Sequence, residues 1–118
     1  MSKITRFILQ TKAASLTIEC ADKTPAQLSY EYLRVFSPAQ IASKQMIGNK
    51  KLVVLNHIEN VGKHGFRLNF NDDHSCIFTA AYFDELLENH EENWQKYEAL
   101  LATNKMTREA KIDILNLS

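Results

Sequence analysis

The residues of this 118-residue chain whose types could do chemistry are four histidines, two cysteines and an acid-rich turn. His74 closes the run Asn71-Asp-Asp-His74, and a histidine in a turn can offer a ring nitrogen to solvent, a partner or a metal. The competing reading is a ring that only hydrogen-bonds within its turn. His57-Ile-Glu59 matches the His-x-carboxylate part of a non-haem iron triad. That triad needs a distal histidine on a neighbouring strand of a larger barrel, and this chain is too short for one. An edge-of-strand histidine beside a solvent-facing glutamate is the plainer reading. Cys20 and Cys76 fall on separate strand candidates, whereas a cluster usually takes four thiolates. Half a cluster at a dimer interface is one option. Burial as small hydrophobes is the other, and the spacing favours it. Arg34, Lys44, Lys50 and Lys51, with Lys63 and Arg67 further on, could converge on an anion or could lie apart on a solvated surface. The chain has no Gly-rich phosphate loop, His-Glu-x-x-His, Cys-x-x-Cys or nucleophile elbow. With no visible acid/base pair or nucleophile, the sequence gives no case for an enzyme.

The elements that would position these residues are short. Leu16–Cys20 alternates apolar and polar residues as a half-buried strand does. Residues 21–25 read as a turn, and residues 26–28 as the returning strand of a hairpin. Ser29 can cap a short helix holding Tyr30, Leu33 and Val35 that ends near Pro38. Tyr30, Tyr32 and Phe36 then read as packing residues of that helix, not as a base-stacking platform. Residues 39–50 read as a connecting loop. Residues 51–58 are β-branched and apolar enough for a central strand. Val61–Gly65 reads as a tight turn. Phe66–Phe70 and Ser75–Phe78 complete an antiparallel meander, with Phe66, Leu68 and Phe70 on its core side. Thr79 caps a helix presenting Tyr82, Phe83, Leu86 and Leu87. A second helical face, from about Asn93 to Ala102, carries Trp94, Tyr97, Leu100 and Leu101.

Composition narrows the function classes. Lys+Arg and Asp+Glu are each 14, so the formal net charge is zero and gives no global argument for nucleic acid or an acidic membrane. No apolar run approaches the roughly 20 residues of a membrane span, and the first ten residues lack a signal-peptide core. The expected compartment is the cytoplasm.

Five segments in order carry a family resemblance: Tyr30-Glu-Tyr-Leu-Arg-Val-Phe-Ser-Pro38, Ile58-Glu-Asn-Val-Gly62, Phe70-Asn-Asp-Asp-His74, Tyr82-Phe-Asp-Glu-Leu86 and Glu92-Asn-Trp-Gln-Lys-Tyr97. The series resembles the stand-alone bacterial proteins related to the N-terminal domain of gamma-butyrobetaine hydroxylase, over roughly residues 10–102. In the hydroxylase the resemblance implies a structural zinc on three cysteines and one histidine. The histidine falls on His74, and the Cys-Pro-Cys-x-x-Cys positions fall on Ser37, Ala39 and Ala42. Alanine has no donor atom, so no zinc site and no cofactor is expected. The family turn Asp-Gly-His has Asp73 in place of glycine, which implies a non-glycine residue in an altered turn. The family's Ile-Tyr-Ser-Trp is here Ile77-Phe-Thr-Ala80, and Tyr82 is the residue placed to compensate for the missing indole.

The expectation is therefore an α+β domain over residues 1–102, a small antiparallel meander with helices packed on it, followed by a tail or short extra helix over 103–118. Arg34, Asp73, His74 and Tyr82 are the candidate interaction or ligand-binding residues. The resemblance implies a non-enzymatic interaction or accessory module. Relatives in iron–sulfur carrier ATPases add iron–sulfur or metal-cofactor handling as its pathway. The alternative is a small-ligand or metal-binding domain using the turn around His74. The expected partner is a protein, with neither membrane nor nucleic acid, and the chain is expected as a monomer or weak homodimer.

Overall fold

The computed structural model describes residues 3–45 and 47–109. Two three-stranded antiparallel meanders and four helices make an α+β fold. The first sheet runs β1 (Ile4–Gln10), β2 (Ser15–Cys20), β3 (Lys23–Ser29), in that order. The second runs β4 (Leu55–Asn60), β5 (Phe66–Phe70), β6 (Ser75–Phe78). Helices α1 (Tyr30–Val35) and α2 (Pro38–Ser43) link the sheets, and α3 (Ala80–Glu88) and α4 (His90–Thr103) follow the second.

Several expectations hold. The Ser29 hydroxyl accepts from the Tyr32 amide and caps α1, and Thr79 does the same for α3 from the Tyr82 amide. On β5, Leu68 and Phe70 are buried and Phe66 half-buried, as period-two spacing requires. Leu16, Ile18 and Leu28 of the first sheet, Tyr32 and Leu33 of α1, Leu55, Leu68, Phe70 and Phe78 of the second sheet, and Phe83 and Leu86 of α3 share one core. A smaller cluster joins Val35 to Tyr97 and Leu101 of α4, with Trp94 and Met106 against it.

Other expectations are corrected. No strand was expected before Leu16, yet β1 pairs with β2 from Ile4 to Gln10. Its run Phe7-Ile-Leu9 breaks alternation because an edge strand need not bury one clean face. The first hairpin turns at Ala21-Asp22 only, and Pro25 sits inside β3. That strand is a sheet edge, where a missing N–H is tolerated. The segment 39–50 is not all loop. Ser37 caps α2 and Pro38 stands in its first turn, where the absent N–H costs nothing. Lys44, at φ 57°, ends it. The strand expected at 51–58 starts at Leu55 and is an edge, with β5 central. Val54 is drawn off, its amide donating to Asn71 Oδ1 and its carbonyl accepting from the Asn71 amide. The tight turn expected at Val61–Gly65 does hold: it is a single 3-10 turn, Gly62–His64, with Gly62 and Gly65 both at positive φ. Gly65 then passes so close to the Phe78 carbonyl that a Cβ would lie 2.5 Å from it. Helix α4 begins at His90, three residues before the Trp94 face was expected to start it. Its first turn carries exposed Glu91 and Glu92, which suit the positive helix end but leave no apolar stripe.

Residues 104–109 fold back on the protein. The Asn49 and Lys51 amides donate to the Thr107 and Arg108 carbonyls at 2.7 and 2.8 Å. Gly48 lies under this return, with room for no Cβ: one would meet the Thr107 carbonyl at 2.9 Å. Arg108 sits 5.0 Å from the centroid of the Trp94 ring and forks onto Glu31, which is 5 % exposed. The Tyr97 hydroxyl donates to the same carboxylate at 2.8 Å. Ile112 and Leu115, apolar residues of the tail expected over 103–118, lie outside the described residues.

Candidate functional site

Helix α1, the first turn of α2 and the β5–β6 turn meet around His74. Arg34 leaves the buried α1 and its Nε donates to Asp72 Oδ2 at 2.8 Å. Lys50 Nζ reaches the same oxygen at 2.7 Å. Arg34 Nη1 donates to Gln40 Oε1 on α2 at 2.9 Å. Burial alone would raise the Asp72 carboxyl. The Lys50 and Arg34 hydrogen bonds outweigh it, and Asp72 lies below the usual carboxylate range. The other Asp72 oxygen, Oδ1, is buried without a hydrogen-bond partner.

His74 Nε2 stands 2.8 Å from the Oγ of Ser37, which is fully buried. Ser37 Oγ also accepts from the Gln40 amide, so its own proton is free to donate to a neutral imidazole. Consistent with a neutral ring, burial pushes the His74 pKa below its ordinary value, and the Arg34 charge lowers it further. Two residues along, Cys76 Sγ accepts from the Ala39 amide at 3.3 Å. Cys20 and Cys76 are both free and half-buried, each against the main core.

The four candidates divide. Arg34 and His74 come together in this cluster. Asp73 stands beside it, exposed, at φ 63°, in the left-handed region that glycine would take without strain. Tyr82 stands at the cluster's margin: its hydroxyl donates to the carbonyl of Phe36, the residue before Ser37, and burial pushes its pKa up to about 12. Sequence reasoning missed Asp72, which holds both cations. The doublet Asp72-Asp73 was the available signal, but only the backbone twist at Asp73 decides which carboxylate turns inward. Gln40 was missed because its segment was read as loop.

The residues fit a zinc ion poorly. Of the four positions implied by the resemblance, His74 and Ser37 bond each other and Ala39 and Ala42 have no donor. Among the described residues no group of three His, Cys, Asp or Glu side chains gathers in a way that could hold a metal. His57 and Glu59 do not form an iron site either: Glu59 accepts from Arg67 Nη1 and Asn69 Nδ2.

With this geometry in hand, the comparisons place the chain. Residues 7–84 match the model of the family described as gamma-butyrobetaine hydroxylase-like, N-terminal, and the chain belongs to that family. No curated protein matches it. Among solved structures, two proteins known from NMR solution structures each align with a TM-score of 0.80. One is 28% identical and covers 99% of this chain and 98% of its own, and the other is 31% identical over 97% and 90%. A crystal structure of a protein of unknown function from Acidithiobacillus ferrooxidans, of the DUF971 family, aligns with a TM-score of 0.63 and 26% identity, covering 71% of this chain and 91% of that one. The family match ends within α3, whereas the two NMR structures extend the likeness through α4. Among the described residues no helix is long and apolar enough to cross a membrane.

Proposed function

We propose that the protein is a non-enzymatic accessory module of the cytoplasm that works by binding a protein partner, with iron–sulfur or metal-cofactor handling as its pathway. The pathway rests on family analogy alone. One observation carries the reading: the chemistry-bearing groups around His74 are spent on one another. Arg34 and Lys50 share Asp72, and His74 is joined to Ser37. A nucleophile and its base also bond to each other, but they must reach a substrate, and the Ser37 hydroxyl that faces His74 is fully buried. The formal net charge of zero supports a protein partner over nucleic acid or an anionic membrane.

A second reading, a small-ligand or metal site at the His74 turn, is favoured by the unpartnered Oδ1 of Asp72. Purification of the tagged chain from its native cells separates the two. The module reading expects a protein partner in fixed ratio and no metal held by the chain. One zinc or iron per chain, lost in His74→Ala, would overturn it and establish the second reading.

A further inference from the structure

Glu31 is a buried carboxylate of α1, and its hydrogen-bond partners among the described residues come from the far end of the chain. Arg108 forks onto it, Nε to Oε2 and Nη2 to Oε1, both at 2.9 Å. The Tyr97 hydroxyl donates to Oε2 at 2.8 Å, and the Trp94 ring centroid lies 5.0 Å from Arg108 Cζ. A carboxylate that accepts a fork, with an aromatic face beside it, suits a flat guanidinium better than a compact ammonium. The walls of this receptor are fixed. Tyr97 is buried, and Trp94 packs against both apolar clusters. The cation is held differently. It arrives on the strap 104–109, where every side chain but Met106 and Arg108 is exposed. Main-chain bonds from Asn49 and Lys51 hold the strap down, with contacts of their side chains to Glu109.

Resting on the interaction-module reading, we infer that Glu31, Trp94 and Tyr97 form an arginine-binding site. Arg108 fills it in the closed chain, and an arginine-bearing segment of a protein partner takes it by displacing the strap. Stability alone does not call for such a pair, because apolar residues of like volume often serve a core as well or better. What a buried carboxylate supplies is selectivity: it must be matched by a cation whenever the site closes. Among the described residues Arg108 is the only cation on Glu31. A displaced strap therefore leaves a site that an arginine fits and an apolar or acidic side chain does not. Tethering sets the threshold. A strap on a short link competes at an effective concentration of about millimolar, so a partner must also use the strap's anchors on Asn49 and Lys51.

The test uses the full chain, whose single tryptophan, Trp94, reports the site. In Arg108→Ala, methylguanidinium should return Trp94 emission to the wild-type value, saturating at millimolar concentration. Methylammonium at equal ionic strength should bind at least about tenfold more weakly. Adding Glu31→Gln to that variant should abolish the response. Wild type supplies a second arm that does not depend on how Arg108→Ala folds. A capped peptide of the strap's sequence, residues 104–109, at about 5 mM should shift the Asn49 and Lys51 amides by NMR and change Trp94 emission. The same peptide with lysine in place of its arginine should do neither. A folded Arg108→Ala without a saturable response, an equal response to methylammonium, or a wild type that answers both peptides alike or neither would overturn the site. A native partner that binds wild type without disturbing Trp94 would reject the arginine site and leave the module reading standing.

Discussion

Ser37 and His74 face each other at 2.8 Å, hydroxyl oxygen to ring nitrogen, and so tie the cap of α2 to the turn between β5 and β6. The resemblance implies metal ligands at both positions. In this chain a hydrogen bond joins them directly, and the same serine caps the helix that follows.

The tie gives stability a pH dependence. Burial holds the folded His74 pKa below 6.5, its ordinary value, so the unfolded chain takes up a proton first on acidification. The contribution is complete above pH 6.5 and is lost as pH falls through the folded value. Denaturant unfolding between pH 8 and 5 should show stability declining below about 6.5, and His74→Gln should remove that part of the decline. A His74→Gln profile that keeps the full decline would place its source elsewhere.

Asp72 neutralises two cations and is itself only part-buried. Asp72→Ala leaves the buried Arg34 with Gln40 alone. The cost should be about 1–3 kcal/mol, between the values for exposed and buried pairs. Asp73→Gly should instead stabilise or be neutral, because it relieves the positive φ at an exposed position. Equal destabilisation by the two changes in urea unfolding would contradict the assignment of the inward carboxylate.

Removing Arg108 should loosen the return of residues 104–109. Arg108→Ala strips Glu31 of its cation while that carboxylate stays buried with only the Tyr97 hydroxyl against it among the described side chains. A loss of about 2 kcal/mol is expected, with a change in Trp94 fluorescence as the guanidinium leaves the ring. Arg108→Lys should recover only part, since lysine cannot fork onto the carboxylate. Unchanged melting and fluorescence in Arg108→Ala would mean that the return is not held by this pair.

Phe70 is 4 % exposed at the end of the central strand β5, against the His74 ring. Phe70→Ala should cost about 3–5 kcal/mol. A loss below about 1 kcal/mol would contradict the facing of the strand.

What could be read from the sequence was what repeats locally. Ser29 and Thr79 announce their helices because a cap acts over three residues, and Phe66-Arg-Leu-Asn-Phe70 shows its buried face by alternation. Edge elements were illegible for the same reason: β1 and the first turn of α4 bury too little to imprint a period. The site was legible as Arg34 and His74 but not as a network. Its links join residues 34 with 72, 50 with 72 and 37 with 74, contacts that only the tertiary fold creates.

The most direct test of the account is the His74 ring itself, followed by NMR as pH is varied, with and without one equivalent of zinc. A self-satisfied cluster requires a ring that titrates below 6.5, stays neutral at pH 7 and keeps its ring shifts when zinc is added. Titration at or above 6.5, or stoichiometric zinc binding at the ring, would contradict it and return His74 to the role of a ligand.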